Sequence, residues 1–300
     1  GNPNLPPKNI REAANRTFDT FYAGTKWATE TERRLNRMVA FFGPNTPVRE
    51  INTLRVDAYI AHLKGRGMLP SSINERLSMV SKVLSYVQSR HPEEAPPKPR
   101  IERQKVGNKR VRWLEPAEER KLLSLCDRWA KPDHRDVIIT AIDTGMRPSE
   151  IYALRSGDLD LQSPRRLAIT ISRTERNGRE WTTKNGEWRT IYATARVEEI
   201  LRRRVRLRGV GNLLFPYDLD WFRNFWARCR KEMGMENDRN FIPYILRHTC
   251  ASRMVQRGVP VPVIQKWLGH AQIQMTMRYA HVAPSNLEDA ADILDNKKAA

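Results

Sequence analysis

Residues 167–193, LAITISRTERNGREWTTKNGEWRTIYA, decide the fold class. Three β-rich segments, LAITIS (167–172), REWTTK (179–184) and EWRTIYA (187–193), are separated by the polar, glycine-containing turns RTERNG and KNG. Short runs rich in Ile, Thr, Tyr and Trp, broken by Asn-Gly, are the pattern of antiparallel hairpins. They predict one three-stranded antiparallel sheet. On either side the periodicity turns helical. Upstream, EPAEERKLLSLCDRWA (115–130) and DHRDVIITAIDTG (133–145) read as helices, the second closed by Gly145. Downstream, ATARVEEILRRRVRLRG (193–209), WFRNFWARCRKEMG (221–234), ILRHTCASRMVQRG (245–258) and VPVIQKWLGH (261–270) also read as helices, the last with Pro near its start.

Further out, TKWATETERRLNRMVAFFG (25–43) keeps its apolar residues on one face and stops at Gly43-Pro44. A second helix runs through LRVDAYIAHLKGRG (54–67). In SSINERLSMVSKVLSYVQSR (71–90), Ile73, Leu77, Val80, Leu84 and Val87 recur every four or three residues behind a Ser72-x-x-Glu75 capping box. Residues 1–97 therefore read as a helical bundle and 113–284 as a second, mainly α domain holding the small sheet. Between them, the stretch 91–112, with four prolines and no helical periodicity, reads as a linker whose basic part is 98–112. In that part Lys98, Arg100, Arg103, Lys105, Lys109, Arg110 and Arg112 face the single acid Glu102, which suits a strand lying along a phosphate backbone. The tail 285–300 carries Leu287, Ala290, Ala291 and Ile293 or Leu294 at roughly helical spacing.

Composition bounds the function. The chain has 300 residues, 53 Lys and Arg against 34 Asp and Glu, a net charge of +19, and 40% apolar residues, enough for two cores. No apolar run approaches the ~20 residues of a membrane span. The first residues lack the apolar core of a secretory signal. With no initiating Met, the chain is expected to be a processed or trimmed cytosolic protein. Cys126, Cys229 and Cys250, odd in number and without a CxxC pair, read as buried reduced thiols. The positive excess predicts a polyanionic partner, nucleic acid first and an anionic membrane surface second. Five Arg in LRRRVRLR (201–208) concentrate part of it.

Four features of the second domain stand out together: Arg147 in TGMRPSEIYALRSGDLDL (144–161), where one helix ends and the next begins; Lys184 at a strand turn; Arg247 and His248 in IPYILRHTCASRMVQRG (242–258); and His270 with Tyr279 in WLGHAQIQMTMRYAHV (267–282). In order and spacing these motifs resemble the tyrosine recombinases, the phage integrase family, from about residue 15 to 290. The resemblance implies a SAM-like core-binding domain and a mixed α/β catalytic domain, together a C-shaped clamp on duplex DNA. It also implies strand cleavage through a 3′-phosphotyrosyl intermediate. Tyr279 is then the nucleophile, Arg147 and Arg247 the donors to the non-bridging oxygens, Lys184 the general acid and His270 a phosphate donor. Fixed guanidiniums meet the charge that gathers in such a transition state without a metal or cofactor. Lys98, Arg100, Arg103, Lys105, Lys109 and Arg110 become DNA contacts. The partners implied are double-stranded DNA, a homotetramer on synapsed DNA with the tail as exchange helix, and accessory DNA-bending or excision proteins. The setting implied is a bacterial host cytoplasm, at the nucleoid, for a phage or mobile element.

One position departs from the family pattern. The His expected three residues before the second Arg is Tyr244, whose phenol, with an ordinary pKa of about 10, accepts protons poorly near neutrality. Neighbouring His248 is a candidate deputy, but it projects roughly 100° away from Arg247 on a helix. The general base is therefore left unassigned, and a catalytically weakened or inactive DNA-binding protein of the same fold stands as the alternative. Each residue also has a plainer reading. Arg147 alone suits a surface ion pair, Lys184 an ordinary turn with Arg176 and Arg179 as rivals, His270 a helix C-cap, and Tyr279, like Tyr192, a half-buried aromatic. Trp221, Trp226 and Trp267 fit the core, and Glu150 a structural role beside Arg147.

Overall fold

The computed structural model describes residues 5–25, 27–93, 95, 97–107, 111–176, 179–182 and 188–282. Lys184, Lys109, Arg110 and the tail 285–300 lie outside the described residues. The chain divides into two compact units, Gly1–Lys109 and Arg110–Ala300.

The first unit is built on α1 (Ile10–Phe21), α2 (Ala28–Phe42), α3 (Thr53–Gly65) and α4 (Pro70–Arg90). Helix α1 went unread in the sequence. Its IREAANRTFDTF has few large apolar residues, and it is capped by Asn9, whose side chain accepts from the Glu12 amide at 2.9 Å. Helix α4 begins at Pro70 and not behind Ser72, because Pro at the first position supplies the helical φ and needs no hydrogen-bonded N–H. The predicted stripe Ile73, Leu77, Val80, Leu84 and Val87 is buried throughout. It packs with Ile10, Leu35, Met38, Val56 and Tyr59.

Part of the stretch expected as a linker lies along this unit. Asn74 donates to the Gln104 carbonyl at 2.9 Å and accepts from its amide at 2.8 Å. Arg103 donates to the Asn74 carbonyl and the Ser78 hydroxyl, and Ile101 packs on the core. Lys98 and Lys105 are exposed, as is Arg100, which pairs with Glu102.

In the second unit, helices α5 (Pro116–Arg128), α6 (Pro132–Thr144) and α7 (Pro148–Tyr152) each begin with proline. Strands β1 (Leu159–Asp160), β2 (Ala168–Ile171), β3 (Arg173–Arg176), β4 (Arg179–Thr182) and β5 (Arg189–Tyr192) follow. Then come α8 (Ala195–Arg208), α9 (Leu219–Glu232), α10 (Ile245–Gln256), α11 (Val261–Leu268) and α12 (Gln274–Met277). The three-stranded antiparallel sheet exists, but its order is β1-β2-β5, with Ile169 opposite Ile191. The REWT segment does not join it. It pairs instead with RTER, expected as a turn, in a separate two-stranded ribbon β3-β4. Ile169, Ile171 and Ile191 anchor the sheet in the core, whereas RTER and REWT offer no aliphatic residue for it.

Helix α6, buried on nearly every side, is the axis against which α5, α8 and α10 pack. The arginine run of α8 largely fastens it there. Arg203 pairs with Asp136 at 2.6 Å, and Arg204, 3% exposed, bonds Asp136, Asp133 and the Leu214 carbonyl. Arg202 pairs with Glu198. Trp226 is buried and donates to the Phe241 carbonyl; Trp221 stacks on His134; Tyr192 is exposed rather than half-buried. The three cysteines are free and buried. No helix among the described residues is long and apolar enough to cross a membrane.

Candidate active site

The site begins at the turn between α6 and α7. Gly145 takes a left-handed φ of +64°, and a Cβ there would sit 2.7 Å from Leu268 Cδ2 and 3.2 Å from Cys250 Sγ, so only glycine fits both the turn and the approach of α10 and α11. Two residues on, Arg147 occupies the N-cap of α7. Its amide and guanidinium both donate to Glu150, at 2.8 and 2.9 Å, which curls the side chain over the helix start. Glu150 is buried and shared. Arg189 on β5 grips it with two hydrogen bonds of 3.0 and 2.8 Å and donates its Nε to the Trp267 carbonyl. Burial alone raises a carboxyl's pKa, but the adjacent Arg189 and Arg147 outweigh it and hold Glu150 at about 2.

Arg247, on α10, is 1% exposed. It donates to the Gly145 carbonyl at 2.5 Å and the Leu268 carbonyl at 2.7 Å, tying the α6–α7 turn to the end of α11. Its Nε has no hydrogen-bond partner, and among the described residues no carboxylate pairs with it. Burial and the neighbouring Arg147 lower its pKa. A buried cation normally carries a matching anion. Among the described residues Arg247 has no such paired anion, and Glu150 acts on it only through space.

The remaining expected residues gather around this pair. Gly269 ends α11 in a left-handed conformation, and His270 follows, its Nδ1 2.8 Å from the Thr276 hydroxyl. Burial first, then the positive field of Arg247 and Arg147, push its pKa down to about 4. Tyr244, at the N-cap of α10, lies beside Arg147 and, against burial and after Glu150, helps to raise that guanidinium's pKa. Tyr279, 1% exposed, follows α12; burial pushes its phenol up to about 12 despite Arg247 nearby. The structure thus brings Arg147, Arg247, His270, Tyr244 and Tyr279 together. Lys184 falls outside the described residues.

With that geometry in view, the likeness to known proteins is specific. The phage integrase family model matches residues 112–286. The chain belongs to the phage integrase family. It is similar to the tyrosine recombinase XerA of Saccharolobus solfataricus, 30% identical over 185 residues that cover 62% of this chain and 57% of the relative. It is similar also to the integrase of Salmonella phage P22, 31% identical over 202 residues, 63% of this chain and 48% of the relative. The chain thus spans about half the length of these curated relatives. Its fold is similar to that of the transposon Tn1549 integrase in complex with transposon right end DNA, with a TM-score of 0.78 at 18% identity over 97% of this chain and 100% of that one.

In this phage integrase family member, sequence reasoning missed Arg189 and left the role of His248 open. Arg189 sits mid-strand in EWRTIYA, and nothing local marks it as the partner of Glu150, 39 residues earlier. His248 does turn away from Arg247, as helix geometry requires, but it turns toward Tyr279: its Nδ1 lies 2.7 Å from the phenol oxygen.

Proposed function

We propose that this chain is a site-specific DNA recombinase that cleaves and rejoins duplex DNA through a covalent 3′-phosphotyrosyl intermediate, for a phage or another mobile element. The observation that carries this reading is the buried, carboxylate-free guanidinium of Arg247 with Arg147 and Tyr279 beside it. A phosphodiester supplies the missing anion. In the reaction, the Tyr279 oxygen forms a bond to phosphorus as the 5′-oxygen leaves with a proton from Lys184. Arg147, Arg247 and His270 hold the non-bridging oxygens as charge accumulates. Because the phosphoester bond to tyrosine replaces the one broken, rejoining needs no external energy source. Exposed Lys98, Arg100 and Lys105, with Arg103, Lys109 and Arg110, bind the duplex backbone. Four protomers act on two synapsed duplexes, the tail 285–300 docking on a neighbour, with accessory DNA-bending or excision proteins, at the nucleoid of a bacterial host cytoplasm.

The test is covalent trapping on nicked duplexes with randomised sequence around the nick, followed by sequencing of the DNA retained. A protein–DNA adduct that disappears in Tyr279→Phe supports the reading. DNA binding with no adduct from any sequence points to the inactive, DNA-binding alternative that Tyr244 raises. A Tyr244→His variant that reacts faster identifies Tyr244 as a weakened replacement. Deleting 285–300 abolishes tetramer formation if the tail exchanges; an unchanged assembly removes that part.

A further inference from the structure

The position from which a family histidine would take the nucleophile's proton holds Tyr244, whose phenol accepts protons poorly near neutrality. One neutral imidazole does touch the nucleophile. His248 Nδ1 is 2.7 Å from the Tyr279 oxygen, the rings are 5.7 Å apart, and the two residues are 31 positions apart in sequence, so helix α10 and the segment after α12 must both be in place for the contact to exist. Resting on the recombinase reading, we propose that His248 is the general base of this enzyme: the Tyr279 O–H donates to Nδ1 and its proton passes there as the phenol oxygen bonds to phosphorus. Atoms and charge balance without another reactant, since the imidazolium keeps that proton while Lys184 supplies one to the departing 5′-oxygen. On rejoining, the imidazolium returns it to the phenolate.

The surroundings of His248 account for when the transfer happens. Its charged and titratable neighbours are Arg247 and Tyr244 on its own helix and Arg278 and Tyr279 from the segment packed against it. Burial first, then Arg278 and Arg247, push the imidazole down to about 4, while the phenol stands at about 12, so in the free protein the proton stays on oxygen. A bound phosphodiester brings negative charge against the two arginines and removes the main electrostatic objection to an imidazolium. Proton transfer is thereby tied to occupancy of the site by DNA. A ring with a depressed pKa is also neutral, and so ready to accept, over the whole physiological range.

The experiment uses a nicked duplex recovered by the trapping described above and follows single-turnover adduct formation across pH. His248→Asn keeps a hydrogen-bond acceptor for the phenol but cannot hold its proton. It is expected to slow adduct formation 10²- to 10⁴-fold near neutrality. Its rate should keep rising with pH where the wild-type rate has levelled. DNA affinity and thermal unfolding serve as controls for folding. Tyr279→3,5-difluorotyrosine, a more acidic nucleophile, should recover much of the loss in the His248→Asn background. In the free wild-type protein, nitrogen-15 shifts should report Nδ1 of His248 as unprotonated. An Asn variant as fast as wild type with the same pH profile, no recovery with the fluorinated tyrosine, or an Nδ1–H tautomer would each overturn the assignment. Absence of any wild-type adduct overturns the recombinase reading first, and this one with it.

Discussion

Glu150 is a single carboxylate shared by two guanidiniums, and its removal leaves both without a counter-charge. Breaking a buried ion pair costs about 3–5 kcal/mol, so Glu150→Ala should lower stability by that order in urea unfolding and displace Arg147 as well. The pH dependence has a definite sign. Glu150 is held at about 2, below the ordinary 4.5, so its stabilisation is complete above pH 4.5 and is lost as pH falls toward 2. The stability gap between wild type and Glu150→Gln should therefore be flat from pH 7 to 5 and close on further acidification. At this scale the sequence was legible where residue types cluster in motifs. Arg147, Arg247, His270 and Tyr279 could be picked out by order and spacing, and Glu150 by its place one turn after Arg147. Arg189 could not, and His248 stood out only as a candidate deputy without its contact to Tyr279. Their roles arise from contacts spanning 39 and 31 residues, and no local pattern encodes which way a strand Arg or a helical His will find a partner.

Among the elements, the α6–α7 turn is the most constrained. Gly145→Ala adds left-handed strain and a clash with Leu268, and it should cost at least 1–3 kcal/mol and lower the melting temperature, whereas Gly157→Ala, with open space around it, should change little. The arginine run of α8 offers a second check. Arg204→Ala, which leaves Asp136 with Arg203 alone and the Leu214 carbonyl without its donor, should destabilise by about 1–3 kcal/mol, and Arg206→Ala by less than about 0.5. Periodicity revealed α2 to α5 and α8 to α11, most of which bury one apolar stripe, while α6, buried on nearly every side, was marked by its apolar run and closing Gly145. Periodicity failed for α1, whose twelve residues bury mostly small side chains, and for β3, whose polar RTER reads as a turn, so that β4 was assigned to the wrong sheet. The charge run misled for a related reason: composition reports how many arginines a helix has, not how many acids α6 places opposite them.

For the molecule as a whole, acid is the exposed weakness of the second unit. His134, His248 and His270 are each pushed down to about 4, chiefly by burial, so below pH 6.5 the unfolded chain takes up protons that the native protein refuses. Stability should be indifferent to these groups above pH 6.5 and fall between 6.5 and 4, with a slope approaching three protons; urea midpoints across that range give the number directly. Salt tests the proposed DNA contacts of the first unit. Replacing exposed Lys105 by Ala should shift the slope of log affinity against log salt by about 0.9 and weaken binding uniformly across sequences.

Tyr279, the proposed nucleophile, is docked in a small apolar cluster with Ala251, Val255, Ile264 and Leu268, separate from the large core around α6. Segments held by so few contacts open in sub-global excursions, well before the core does. Amide hydrogens of 276–282 should accordingly exchange with deuterium far sooner than those of α6. Motion of the segment that carries Tyr279 is thereby uncoupled from the opening of the rest of the unit.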